Sequence, residues 1–170
     1  DNLTNIELPN GITELNEGVF GECDELKSVK LPENLQKIGG SAFVNCQKLS
    51  DIQLPDTITE IGDRAFETTA ITIKTLPNSL KKIGERAFGK CYQMTEMVIP
   101  DSVATIGEYA FAYASIKELT IGKGVEVIGS CAFMMVRDPE IIVPASVRRI
   151  EWCAFGPFYT EKMIFEGEPP

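Results

Sequence analysis

The chain has 170 residues, 44% hydrophobic and 24% charged, a composition that supports a packed core and excludes a disordered or fibrous polymer. Its 25 acidic against 16 basic residues leave a net charge of −9, which repels a phosphate backbone and argues against nucleic acid as a partner. Histidine is absent, which closes Ser-His-Asp and Cys-His nucleophile pairs, histidine-containing zinc sites and imidazole acid–base chemistry.

Asp1 opens the chain without an initiator methionine or an apolar leader, which points to a removed leader or to a longer parent protein. The longest apolar stretches run to a handful of residues, far short of the roughly 20 that a spanning helix needs, so no membrane insertion is expected. Five cysteines are too few for a disulfide scaffold, and the odd number leaves at least one free or paired with another chain.

Along the chain one pattern repeats. Phe20, Phe43, Phe66, Phe88, Phe111, Phe133 and Phe155 are spaced by 22 or 23 residues, and all but Phe20, which follows Val19, come directly after an alanine. Pro9, Pro32, Pro55, Pro77, Pro100 and Pro144 keep the same phase, with Gly122 substituting once. The cleanest unit reads Leu49, Ile52, Leu54, Pro55, Ile58, Ile61, Gly62, Ala65, Phe66. Ile52 and Leu54 alternate with polar residues, which predicts a short half-buried strand ended by the proline. Ile58 and Ile61 begin a second extended segment, and Gly62 is expected to permit a bend into a helical or 3-10 turn bearing the phenylalanine. A unit this small cannot bury its own apolar face, so the units must stack. The predicted fold is a solenoid of about seven 22–23-residue repeats forming parallel β-sheets.

Stacking gives meaning to other phases. Cys23, Cys46 and Cys91, three residues after the phenylalanine, read as small buried hydrophobes. Cys131 and Cys153 lie two residues before it on adjacent coils, where either a disulfide or two free thiols is open. Glu14, Lys37, Glu60 and Lys82 share a phase and predict an alternating charge ladder that favours the correct register.

The unit L-x-x-I-x-L-P…I-G-x-x-A-F-x-x-C, running from Leu3 to about Phe165, resembles the BspA-like leucine-rich repeats. Ile71 to Leu76, Gly122 and Glu151-Trp152 depart from it locally, and the asparagine ladder of other leucine-rich repeats is missing. The resemblance implies a leucine-rich-repeat solenoid, α/β by convention and mostly β, with a repeat array over 1–165 and a tail or linker at 166–170. It also implies an extracellular or cell-surface location and adhesion to a protein or glycan, such as a host matrix or cell-surface protein.

Two surfaces offer themselves for such a contact. Outward positions of the first strand turn from charged to β-branched, ending in an apolar stripe of Val98, Ile142 and Ile164; β-branched residues also simply favour extended backbone. Segments after the later phenylalanines carry Tyr113, Met134, Met135, Phe158 and Tyr159, with Trp152 in the last repeat. These residues either bind a partner, or plug the end of the array or meet a neighbouring domain. The carboxylates recur in solvent-facing phases and no phosphate loop or CxxC pair is present, so no catalytic residue, cofactor or metal is expected. The resulting expectation is a non-catalytic interaction module, the alternative being a spacer segment of a larger surface protein.

Overall fold

A computed structural model describes residues 2–157 and 159–167. Its strands in chain order are β1 (Asn5–Glu7), β2 (Glu14–Leu15), β3 (Ser28–Lys30), β4 (Lys37–Ile38), β5 (Asp51–Ile52), β6 (Glu60–Ile61), β7 (Lys82–Ile83), β8 (Glu96–Val98), β9 (Thr105–Ile106), β10 (Glu118–Thr120), β11 (Val127–Ile128), β12 (Glu140–Val143), β13 (Arg149–Ile150) and β14 (Lys162–Phe165). They form a parallel solenoid, as the repeat predicts. One side is a continuous seven-stranded sheet, β2-β4-β6-β7-β9-β11-β13. Its register aligns Leu15, Ile38, Ile61, Ile83, Ile106, Ile128 and Ile150, whose side chains face the core.

The first-strand side is broken into β1-β3-β5, β8-β10 and β12-β14. In the coil of Phe88 the irregular Ile71–Leu76 segment reduces pairing to a single bridge between Thr75 and Val98. The physical cause is the phase of that segment: Lys74 stands where Ile52 stands one coil earlier, and Ile73 is one residue out of step with it, so the inward faces no longer match along the sheet.

The third side was expected to carry a helical or 3-10 turn. Among the described residues it carries neither; consecutive tight turns run through each phenylalanine, and they form a third inter-coil ladder. Arg86, Phe88 and Lys90 each donate a backbone N–H, at 2.8 Å, to Glu108, Ala110 and Ala112 of the next coil. The intervening Ala87, Gly89 and Cys91 donate within their own coil, to Gly84, Arg86 and Phe88. From Arg86 to Cys91 every N–H is therefore paired, alternately across and along the stack. This alternation goes with left-handed backbone two residues before each phenylalanine and two after each up to Phe133. Twelve non-glycine residues occupy those phases with φ between 51° and 70°, among them Arg64, Thr68, Tyr109, Tyr113, Cys131 and Met135. Each costs on the order of 1 kcal/mol, which the cross-coil hydrogen bonds offset.

The phenylalanine rings lie inside this side as one column. Centroids of successive rings are 5.2–5.5 Å apart and the planes differ by 4–13° from Phe20 to Phe155. Phe43, Phe66, Phe88, Phe111 and Phe133 have no exposed surface.

The repeat glycines serve a different purpose from the expected bend. Gly84 has no left-handed φ; a Cβ on it would stand 2.6 Å from the Asp63 nitrogen and the Gly62 carbonyl carbon of the preceding coil. Gly39 meets the Leu15 oxygen at 2.5 Å in the same way. Glycine there lets two coils approach at backbone distance.

Cys46 and Cys91 are buried as expected, and each thiol also donates to a phenylalanine carbonyl one coil earlier, Phe20 at 2.9 Å and Phe66 at 3.2 Å. Burial pushes both thiols up to about 11. Cys23 is half-buried, and Cys131 and Cys153 are free thiols. Register aligns Glu14, Lys37, Glu60 and Lys82 as expected, and along that line the Lys37–Glu60 pair closes at 3.3 Å. Comparable inter-coil pairs join Glu7 to Lys30 at 2.6 Å, Lys74 to Glu96 at 2.7 Å and Lys162 to Glu140 at 2.9 Å. All are solvent-exposed, so each contributes on the order of 0–1 kcal/mol.

Candidate contact surfaces

The predicted site residues fall on two separate sides. On the first-strand side, Val98 and Ile164 are half-buried and Ile142 is 45% exposed. Ile142 pairs in register with Ile164, but Val98 pairs with Thr120, so a hydroxyl interrupts the apolar stripe. Beside it, Glu96 and Glu118 stand directly opposite one another, followed by Glu140 in the same phase. The surface is consequently a narrow β-branched line flanked by carboxylates.

The turn side gathers more. Tyr113 is exposed and sits at a left-handed position, Met134 and Met135 are half-buried, and Tyr159 is exposed. One cavity of about 430 Å³ is lined by Glu67, Arg86, Gly89, Lys90, Tyr109, Ala112, Tyr113 and Met134. A second, of about 260 Å³, is lined by Tyr92, Tyr113, Ala114, Ser115, Lys117, Met135 and Arg137. Tyr113 lines both, so the two depressions adjoin at its side chain. The Arg86 guanidinium lies over the Tyr109 ring at 4.8 Å and that of Arg137 over the Tyr159 ring at 5.3 Å. Hydrogen bonding with the Cys131 thiol pushes the Tyr109 phenol up, and burial raises Cys131 itself.

Tyr113, Met134 and Met135 are thus brought together, and Tyr159 joins them through Arg137. Trp152, 75% exposed, lines neither cavity, nor do Val98, Ile142 and Ile164. Phe158 lies outside the described residues. Tyr92, 55% exposed, belongs to the cluster although the phases following the phenylalanine did not single it out. Its signal was present four residues after Phe88, the phase that Tyr159 holds after Phe155.

Among the described residues no three His, Cys, Asp or Glu side chains converge as a metal site, and no helix is long and apolar enough to cross a membrane.

The geometry is that of a parallel repeat solenoid with a solvent-facing cluster on its turn side, and the sequence matches the family model for the BspA type leucine rich repeat region in six copies over residues 1–114 and 59–167. The chain belongs to that family. No curated protein sequence matches it. Among solved structures it is similar to the T. pallidum leucine rich repeat protein, with 28% identity, 97% of this chain and 74% of that one covered, and a TM-score of 0.70. It is also similar to a leucine rich cell surface protein from Faecalibacterium prausnitzii A2-165, with 28% identity, 98% and 40% coverage, and a TM-score of 0.69. A leucine-rich repeat protein from Bacteroides ovatus ATCC 8483 shares the fold at 19% identity, 96% and 55% coverage, and a TM-score of 0.69. The chain therefore spans about half the length of the last two.

Proposed function

We propose that this chain is a non-catalytic contact module, displayed outside the cell, that binds a protein or glycan partner through the turn side of its later coils. One observation carries the reading: among the described residues the exposed aromatics are Tyr92, Tyr113, Trp152 and Tyr159, all in the coils of Phe88 to Phe155. Exposed aromatic side chains on a rigid scaffold are what the centre of an interface uses, because little conformational entropy is lost when they are covered. The likeness to a protein described as a cell surface protein supports the extracellular placement. The spacer reading is favoured by a different observation, the unbroken seven-stranded sheet and the turn-side ladder beside it, which suit extension as well as presentation.

The test is retention on immobilised extracellular-matrix proteins, comparing the wild type with the triple variant Met134→Gln, Met135→Asn, Tyr159→Ser; Asn suits the left-handed backbone at 135. Retention is expected to fall about 10-fold with thermal stability nearly unchanged, since none of the three side chains is fully buried. Retention equal in both proteins refutes the turn-side assignment, and none at micromolar protein favours the spacer.

A further inference from the structure

We infer that the turn side of the coils of Phe88 to Phe155 takes an acidic peptide segment, a proposal that rests on the contact-surface reading and names the chemistry of its ligand. The protein carries a net charge of −9, yet Arg86, Lys90, Lys117 and Arg137 all line the two adjoining cavities. Glu67 is the one carboxylate in their walls; it is buried and held by the Arg64 guanidinium at 2.6 Å. Asp138, next to Arg137, is turned inward and accepts the backbone N–H groups of Leu119 at 2.6 Å and Glu140 at 2.9 Å.

Of the cations elsewhere, many are neutralised by the neighbouring coil, whereas Lys27, Lys81, Lys82, Lys123 and Arg148 close no ion pair among the described residues but are not gathered in one depression. Lys30, Lys37, Lys48, Lys74 and Lys162 each pair with a glutamate of an adjacent coil. Within the strip Arg86 pairs with Glu85 at 2.9 Å, while among the described residues Lys90, Lys117 and Arg137 close no ion pair within the chain. The Arg137 guanidinium instead lies over the Tyr159 ring, its carbon 5.3 Å from the ring centre, and it donates no hydrogen bond to a carboxylate among the described residues, so its fork of N–H donors suits bidentate contact with one. Tyr92 and Tyr113 add phenol hydroxyls and flat apolar faces beside these cations.

Size points to a peptide. Tyr92, Tyr113, Arg137 and Tyr159 come from four successive coils, and with about 5 Å per coil they span about 15 Å, the length of roughly four or five extended residues at ~3.3 Å each. A long polyanion meets the repulsion of the rest of the surface, whereas a short acidic segment confined to this strip does not.

The experiment is fluorescence anisotropy with fluorescein-labelled hexaglutamate at low salt, using the whole chain, the double variant Lys117→Glu/Arg137→Glu, and a charge-matched control, Lys123→Glu/Arg148→Glu. All four positions are exposed, and circular dichroism checks that both variants fold. Expected is saturable binding that weakens with added salt, is lost about 10-fold or more in the 117/137 variant, and persists in the control. No binding up to about 1 mM peptide, or equal loss in both variants, overturns the proposal. A sulfated hexasaccharide that binds where hexaglutamate does not also overturns it, in favour of a glycan. If matrix retention depends on Met134, Met135 and Tyr159 while hexaglutamate fails to bind, the acidic-ligand proposal falls and the contact surface stands.

Discussion

Replacing Phe88 by alanine is expected to lower the unfolding free energy by about 3–5 kcal/mol, the cost of removing a large ring from a site that cannot collapse. Phe88 has no exposed surface and stacks on Phe66 at 5.5 Å and on Phe111 at 5.2 Å. A truncation there removes two ring–ring contacts and leaves a gap in the middle of a quasi-one-dimensional core, in which each coil is stabilised only by its neighbours. Phe20 is the appropriate comparison, because it is half-buried at the start of the column and stacks on Phe43 alone, at 5.5 Å. Phe20→Ala is expected to cost about 1–2 kcal/mol. Urea unfolding followed by circular dichroism measures both, and equal losses would show that the rings do not act as a coupled column.

Gly84→Ala is the second large effect, and it acts through backbone instead of side chains. The added methyl would meet the Asp63 nitrogen, the Asp63 Oδ1 and the Gly62 carbonyl carbon, each at 2.6 Å. Asp63 Oδ1 also accepts the Glu85 backbone N–H at 2.8 Å, so its displacement breaks a cross-coil hydrogen bond. Coil separation is held by ladders on both flanks, including Gly84 N–H to the Ile61 oxygen at 2.9 Å, so the clash cannot relax locally. The expected loss is about 3 kcal/mol, the upper end of overpacking costs. Gly11→Ala, where nothing lies within 4 Å, is expected to change stability by no more than about 0.5 kcal/mol. If the two substitutions cost the same, glycine at the repeat position is a bend residue after all, and the close approach of the coils is wrong.

Much of the stack was legible in the sequence, for a physical reason: coils that stack in register must repeat the same inward side chain at the same phase. Phe20 to Phe155 and the line of Leu15 to Ile150 announce this directly. The third ladder was hidden. Only Gly18 and Asn45 hold the residue types that signal its left-handed positions; the rest carry side chains such as Arg64, Thr68 and Tyr109, because cross-coil hydrogen bonds hold the backbone there whatever the side chain. The role of Gly84 was misread because the clearance it protects lies on a different coil, and a bend and a close approach leave the same letter in the chain. For the contact surface, aromatic and methionine enrichment in the late repeats was visible, and the structure places Tyr113, Met134 and Met135 on the same side of the stack. Tyr92 and the cations Lys117 and Arg137 emerged only once the turn side brought four coils together. Trp152 shares the late repeats but faces solvent apart from that group.

Native-state hydrogen exchange at the phenylalanine amides tests the stacked turn side most directly. Phe43, Phe66, Phe88, Phe111 and Phe133 each donate to an alanine carbonyl of the next coil, at 2.7–2.8 Å. Their amides are predicted to exchange only through large-scale unfolding, giving a line of strongly protected sites every 22 or 23 residues on the face that carries the contact surface. Exchange at rates typical of exposed loops at those five amides would contradict the account.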